Sequence, residues 1–523
     1  MNPALHQSDP SYPPPGPPGI LARLRVAASL LAGLRKPDLQ AGGTYRQIRF
    51  GKFHPLGRWW RFLAWVLHET FVAIPNGTRG LTIDRRVSNC PMWLIDPNPL
   101  ADHPWCSDPA AVLPASTDTV VIGAGFTGGA AAYHWARRAP ANRKMVVVDL
   151  GDPASGSSGR NEGLVVMGRY FSMVKQCMLN TLSELRPDLD AGGRKRLAHQ
   201  FADVYARAAY RNAALIEQTI REEGFDCNYA RDGWVQARTA EEQTALDDSV
   251  REAQEAGFDD WTKISAEEAE RRSGMRLDHP AGFSRQAASW HPAKWVWSLF
   301  DRALATQTVA LFTRTRVTSV TNDQGRYRVE TSRGVIRARH VIYATEAYTP
   351  ALEKMFHDAI LPMQEQAACG DGGPETMKPR VGISGTWYFA GRYGRRVLFG
   401  SGGSRLADCE AGRNRPSRFL SRFVASQIHH TYGDHRLHMT NEWSGTVGYT
   451  PDQYPIVGSL DGRGRYIVAG MCGSGSGVSF NGGRCIVNRI LGLDDEPDDY
   501  PAAYFAPSRL LDTGHHPWPV FEA

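Results

Sequence analysis

Residues 118–163 read DTVVIGAGFTGGAAAYHWARRAPANRKMVVVDLGDPASGSSGRNEG. Val120, Val121 and Ile122 form a short β-branched run, the signature of a buried parallel strand. Gly123-Ala-Gly125-Phe126-Thr127-Gly128 follows at once. From Gly129 to Arg138 the chain is rich in alanine and favours helix. A second apolar run, Met145 to Val148, ends in Asp149. The stretch predicts a strand, a glycine turn, a helix, a second strand and an acid. Gly123 allows the tight turn, Gly125 lets a pyrophosphate approach the backbone, and Gly128 permits close helix–sheet packing. The helix N-terminus offers unpaired N–H groups and the positive end of a dipole to phosphate. Asp149 lies about 20 residues beyond the last glycine, where a carboxylate accepts both ribose hydroxyls and repels a 2′-phosphate.

A second polar, glycine-rich loop, Ser155-Gly-Ser-Ser-Gly-Arg-Asn-Glu-Gly163, follows the acid directly. Further on, Trp443-Ser-Gly-Thr-Val-Gly-Tyr-Thr-Pro-Asp-Gln-Tyr-Pro-Ile-Val-Gly458 fits a W-x-G…TPD-x-x-P-x-x-G pattern, and Gly470-Met-Cys-Gly-Ser-Gly-Ser-Gly477 forms a late glycine turn. Together these motifs resemble the D-amino-acid-oxidase-like superfamily of FAD amine oxidoreductases, which includes glycine oxidase, sarcosine oxidase and γ-glutamylputrescine oxidase. The resemblance begins near Cys90 and covers most of the chain beyond it. It implies an α/β fold in which a Rossmann-like FAD-binding domain interleaves with a mainly antiparallel β-sheet substrate domain. The boundaries it suggests are 118–177, 290–350 and 455–495 for the FAD domain, and 178–289 and 351–454 for the substrate domain. A basic extension (1–89), a Pro/Trp-rich arm (90–117) and a tail (496–523) flank them.

The resemblance also implies site residues. The first loop, with Phe126 and Thr127, carries the FAD pyrophosphate. Ser158, Arg160, Asn161, Gly163 and Leu164 of the second loop run towards the flavin ring. Val317 offers its backbone to adenine, and Ala344 and Thr345 border the nucleotide. Gly470, Gly473, Ser474, Gly475, Ser476 and Gly477 sit beside the pyrimidine end of the flavin, where charge gathers on reduction. Tyr388 and Arg396, on an expected hairpin from Trp387 to Gly400, are candidates to touch substrate, since an arginine can hold a carboxylate bidentately. Two departures stand out. Glu346 replaces the usual Gly or Asn, which questions how closely that turn approaches the nucleotide. Serine replaces the larger polar residue of the late glycine turn. The covalent cysteine of sarcosine oxidases has no counterpart at Gly448 and Tyr449, so noncovalent FAD is expected despite Cys472 nearby.

The chain has 523 residues, with 42% hydrophobic and 22% charged. That composition is globular and allows more than one domain. No apolar run approaches the roughly 18 to 20 residues of a membrane span. The proline-rich start, MNPALHQSDPSYPPPGPPG, shows no signal-peptide pattern and reads as disordered. Eight cysteines lack any metal or CxxC spacing, as expected for reduced thiols in a cytoplasmic protein. Residues 1–89 carry twelve Arg and Lys against four Asp and Glu, a surplus of +8 compared with +6 for the whole chain. The basic character therefore belongs to the extension, which argues against a nucleic-acid binder.

Taken in order, residues 19–36 show a helical apolar pattern, with Ile20, Leu24, Ala27, Leu31 and Leu34 on one face. Residues 58–74 are aromatic and basic. These two segments are expected either to contact a membrane surface or partner, or to pack on the enzyme body or another subunit. Pro75-Asn-Gly77 reads as a turn. Residues 178–273 are largely helical, with a strand within Arg231–Arg238. Pro292 starts a helix through Leu304, with His291 as its cap or as a surface residue. Ala310–Val320 and Tyr327–Glu330 read as strands. Residues 404–438, rich in Arg and His, read as a solvated helix and loop without a metal.

These features predict oxidation of an amine or amino acid by hydride transfer to FAD, giving an imine that hydrolyses. Oxygen, a quinone or a carrier protein would take the electrons. The absence of a second GxGxxG argues against a separate NAD(P)H domain. Two other readings stay open: a membrane-surface dehydrogenase delivering electrons to quinone, and a noncatalytic FAD-binding structural or assembly protein. An NAD-dependent dehydrogenase fits the first motif but leaves the TPD and late glycine turns unexplained.

Overall fold

The structure is a computed structural model that describes residues 18–33, 53–103, 108, 110–167, 172–385, 388–401, 416–496 and 498–519. The expectations for the proline-rich start, for Cys106 and Cys409, for Trp387 and for residues 404–415 fall outside these.

Two sheets dominate. The first is built on the opening stretch. Strand Ser116–Ile122 lies between Met145–Val148 and Gly334–Tyr343, parallel to both, and Val309–Phe312 pairs in parallel beyond Met145–Val148. Val120, Val121 and Val147 are fully buried, which is what a β-branched run between two helical layers requires. Strand Gly334–Tyr343 changes partner along its length. Its first half pairs with Arg326–Thr331 in a meander that continues to Val317–Asp323. Its last three residues pair in parallel with Arg465–Ala469, which in turn pairs with Ile456–Ser459. The chain's late return to this sheet sets the second glycine turn beside the first.

Helix Phe126–Arg138 packs between Pro292–Ala305 and Gly475–Leu491. The contact is close because its facing residues are small. A Cβ at Gly483 would sit 2.8 Å from that of Ala130, and one at Gly128 would sit 1.9 Å from the Gly123 carbonyl oxygen. His291 caps the Pro292 helix, its Nδ1 accepting the Lys294 N–H at 3.1 Å. The single strand expected over 310–320 is two strands. Thr313–Arg316 interrupt it, with Arg314 at φ +51 and the Thr315 N–H donating to the Asp149 carbonyl at 2.7 Å. The break brings Val317 round to the acid at the end of the second strand.

Among the described residues the second sheet has nine strands. Its centre is the long pair Leu361–Gly372 and Leu437–Tyr449, antiparallel over twelve residues of the first. The hairpin Phe389–Tyr393/Arg396–Ser401 continues one side, followed by Gly382–Ser384, Trp234–Gln236, Ala281–Ser284 and Trp261–Ile264. On the other side lies Leu81–Ser88, from the N-terminal extension, running parallel to Leu437–Asn441. Helix Arg418–Tyr432 packs on this sheet, and Phe419, Leu420, Phe423, Val424 and Ile428 are buried. The expected solvated helix is thus half core, and Arg418 pairs with the buried Glu442 of the sheet at 2.6 Å.

The extension forms helix Ile20–Gly33 and a longer helical run. The latter comprises Pro55–His68, a π turn Glu69–Ala73 and Ile74–Gly77. Pro75-Asn76-Gly77, expected as a turn, is the last helical turn. No described helix is long and apolar enough to cross a membrane.

Candidate active site

An elongated cavity of about 1290 Å³ runs between the two sheets. This exceeds the ~300–1,000 Å³ of an ordinary small-molecule pocket. One end is walled by Gly123, Gly125, Phe126 and Thr127, at the N-terminus of helix Phe126–Arg138. Gly473, Gly475 and Ser476, at the N-terminus of helix Gly475–Leu491, line it as well. Two helix N-termini therefore border one space, and neither N-cap side chain caps its own helix. That arrangement suits a ligand with negative charge at more than one point.

Asp149 closes the first turn. One carboxylate oxygen accepts the Ala124 N–H at 2.6 Å and the other accepts the Gly151 N–H at 2.7 Å. Burial raises its pKa, and these two bonds oppose the rise. Ser158 lines the cavity and accepts the Phe126 N–H at 2.9 Å, so the second glycine loop is tied to the first helix. Asn161 shapes that loop from within. Its amide donates to the Ser158 carbonyl at 2.7 Å, and its oxygen accepts the Gly163 N–H at 2.8 Å. Arg160 lines the cavity, with Nε donating to the Ser155 carbonyl at 2.8 Å and Nη1 to the Ser444 carbonyl at 3.2 Å.

Leu164, Val317, Ala344, Thr345 and Tyr388 also line the space. Gly128, Gly163, Gly470, Ser474, Gly477 and Arg396 do not, and the glycines among them have other work. Gly163, at φ +74, meets the Trp93 ring: a Cβ there would lie 2.5 Å from it. The Trp93 indole N–H donates to the Asn161 carbonyl at 2.8 Å, so the Pro/Trp-rich arm braces the second loop from behind. Arg396 is a correction. It starts the second strand of its hairpin, opposite Tyr393 and Asp371. The strand carries it about 13 Å from the cavity-lining Phe389. Cys472 also stays out of the lining. Its thiol contacts the Thr450 N–H and hydroxyl at 3.3 Å, and burial pushes its pKa up to about 12.

Glu346, which the sequence marks as a departure, lines the cavity, as do Glu365, Trp234, Gln236 and Arg238, which the sequence did not single out. Glu346 takes φ +46, a left-handed backbone that explains why glycine or asparagine suits the position. Its side chain folds back, so Ala344 and Thr345 still reach the cavity. Its carboxylate accepts the Met471 N–H and the Gly448 N–H, each at 2.8 Å. Burial raises its pKa to about 7 in spite of these bonds. Glu365 also lines the cavity and accepts the Tyr449 hydroxyl. At the substrate-sheet end stand Trp234, Gln236, Arg238, Ser384, Tyr388 and Phe389. The Tyr388 hydroxyl pairs with that of Thr431 at 2.8 Å, and burial pushes its pKa up to about 12. Arg238 donates through Nη2 to Gln236 at 2.5 Å and pairs through Nη1 with Glu242 at 3.7 Å, while its buried Nε has no hydrogen-bond partner among the described residues. No cluster of His, Cys, Asp and Glu among the described residues could hold a metal ion.

A parallel sheet with its glycine turn, a ribose-placed acid and two helix N-termini on one long cavity define a dinucleotide-binding flavoprotein. Its two helix N-termini and Asp149 suit the pyrophosphate and ribose that FAD presents. Residues 118–489 match the DAO family model, FAD dependent oxidoreductase. The chain belongs to this family and is an FAD-dependent oxidoreductase. It is similar to two proteins called probable oxidoreductase OrdL. The one from Haemophilus influenzae is 22% identical over 396 residues, covering 72% of this chain and 84% of that protein. The one from Rhizobium meliloti is 23% identical over 408 residues, covering 74% and 86%. Among solved structures it resembles glycine oxidase from Geobacillus kaustophilus (TM-score 0.59, 18% identity, covering 75% of this chain and 98% of that one). It likewise resembles L-proline dehydrogenase from P. horikoshii (TM-score 0.60, 18% identity, 75% and 97%).

Proposed function

We propose that the protein oxidises the C–N bond of an amino acid or a related amine, with noncovalently held FAD as hydride acceptor. The observation that carries this reading is the continuity of the cavity. It runs unbroken from the two helix N-termini to a wall of substrate-sheet side chains. The first helix N-terminus, Asp149 and Val317 would hold the nucleotide half of FAD. Arg160, Ala344, Thr345 and the Gly473–Ser476 turn would hold the flavin half. Bound FAD supplies the two-electron sink for the hydride.

The chain's own residues do the rest. Arg238, whose buried Nε stays unpaired while Nη1 faces Glu242, is the cation at the substrate-sheet end placed to take a carboxylate. Gln236 orients it through the bond to Nη2. Trp234, Tyr388 and Phe389 exclude water from that end, which strengthens the ion pair and keeps the amine from being solvated. The positive dipole end of helix Gly475–Leu491 favours negative charge that develops beside it. The imine product hydrolyses in water, and the electrons pass to oxygen, a quinone or a carrier protein.

The test is the absorbance spectrum of the purified protein, followed by anaerobic addition of amino acids and amines. Bleaching of the flavin bands by one substrate class is the expected result. Bound flavin that no amine or amino acid reduces would overturn the amine-oxidising reading while leaving the cofactor in place. Peroxide formed during aerobic turnover would identify oxygen as the acceptor.

A further inference from the structure

The helical run from Pro55 to Gly77 has two unlike faces. Trp65, Thr70 and Ile74 face the body; the Trp65 ring meets Phe423 edge-on at 6.1 Å, and Thr70 and Ile74 are fully buried. The other face is apolar and open to solvent. Leu56, Trp60, Leu63, Leu67 and Phe71 recur at steps of four, three, four and four, with Trp59 beside them. Trp60 and Leu56 are 71% and 70% exposed, Trp59 58%, and Leu63, Leu67 and Phe71 between 40% and 46%. The neighbouring helix Ile20–Gly33 packs against the π turn and adds Ile20, Leu21 and Leu24, all exposed. Scattered exposed leucines need no explanation, but a continuous stripe with two adjacent tryptophans does.

Charge identifies what covers the stripe. Arg25, Arg61, Arg85 and Arg86 are exposed in the same extension. Residues 1–89 as a whole carry twelve basic against four acidic residues. Two copies of this face laid together would set base against base. A surface carrying negative charge would not. No described helix of the run is long and apolar enough to cross a bilayer. An amphipathic helix with aromatic residues on its apolar face and arginines at its margins lies in the plane of the interface, with tryptophan at headgroup depth.

We propose that this face docks the protein on the surface of a membrane containing anionic lipid, with Trp59, Trp60, Leu63 and Leu67 inserted and Arg25 and Arg61 at the headgroups. The docking is independent of the reaction catalysed.

The full chain would be sedimented with vesicles of phosphatidylcholine alone and of phosphatidylcholine mixed with phosphatidylglycerol. The expected result is binding to the mixed vesicles that weakens as salt rises. Trp59→Ser/Trp60→Ser should weaken it about tenfold or more through lost insertion, and Arg25→Glu/Arg61→Glu by a similar factor through lost attraction. All four positions are exposed or at the helix surface, so thermal melting of both variants should match the wild type. Light scattering after size exclusion separates the alternative occupant. A dimer that the tryptophan variant dissolves, with no vesicle binding, would overturn the proposal and make the face a subunit contact. Wild type and variants sedimenting equally with vesicles would overturn it too.

Discussion

Glu346 and Met471 are joined by a hydrogen bond of 2.8 Å, from the Met471 backbone N–H to one oxygen of the carboxylate. The other oxygen holds Gly448. One side chain thus ties together the end of strand Gly334–Tyr343, the TPD strand and the late glycine turn. Its pKa is raised from 4.5 to about 7, so the folded chain keeps this proton to higher pH than the unfolded chain does. Stability from this group is therefore full below about pH 4.5 and is lost as pH rises through about 7. Glu346→Gln should remove that slope. It should leave stability at pH 5 within about 1 kcal/mol of the wild type, because the protonated acid and the amide each offer one carbonyl oxygen to the two N–H groups. Melting temperatures of both proteins from pH 5 to 8 test this; parallel curves would refute it.

Asp149 is the second carboxylate that spans two backbone N–H groups, those of Ala124 and Gly151. Asp149→Asn keeps the shape but leaves one donor facing an amide NH2. FAD affinity should fall roughly tenfold or more, since hydrogen bonds to a charged acceptor contribute about 1.5–3 kcal/mol. Titrating the flavin-free protein with FAD and following flavin fluorescence measures it.

Arg238 offers a test of substrate class. Arg238→Lys should raise KM for an amino-acid substrate by roughly tenfold, and Arg238→Ala by roughly a hundredfold, through loss of the two-point carboxylate contact. An amine without a carboxylate should be turned over equally by all three proteins. Arg396→Ala, at the far end of its hairpin, should leave KM unchanged.

Asp452 of the TPD motif is fully buried against Arg509 of the C-terminal tail. Nε and Nη2 reach the two carboxylate oxygens at 2.7 and 3.2 Å, and Nη2 also donates to the Tyr454 carbonyl at 2.7 Å. Removing one member strands the other charge. Arg509→Met should lower stability by about 3–5 kcal/mol in denaturant unfolding. Replacing both members with apolar residues should recover much of that loss.

The nucleotide half of the fold was legible because its function constrains local sequence. Gly123, Gly125 and Gly128 must be small, the strands must be apolar, and the acid must follow at a fixed distance. The substrate half was less legible for a physical reason. Arg238 reaches the cavity beside Tyr388 and Gln366, which lie about 130–150 positions away in sequence and only meet through sheet pairing. The nearer arginine candidate, Arg396, sat on the expected strand but at the wrong end of it. Helix Arg418–Tyr432 looked solvated because four Arg and His residues are spread along it, although its five large apolar residues are all buried. The strand expected over 310–320 broke at Arg314 because Thr315 must turn to meet Asp149. Glu346 was visible as a departure from pattern, but its two partners lie more than 100 residues downstream.

Strand Leu81–Ser88 occupies one border of the nine-stranded sheet, paired with Leu437–Asn441. It is short, its register slips between Ile83 and Ser88, and it carries Arg85 and Arg86 outward. Those are the devices by which a sheet discourages strangers from adding a strand. Cutting the chain before Cys90 would strip this guard and lay bare the main-chain groups of Leu437–Asn441, the first part of strand Leu437–Tyr449. The shortened protein would retain every residue of the cavity and would still be prone to precipitate. Strand Leu81–Ser88 therefore shields the enzyme from its own copies, whatever else the extension touches.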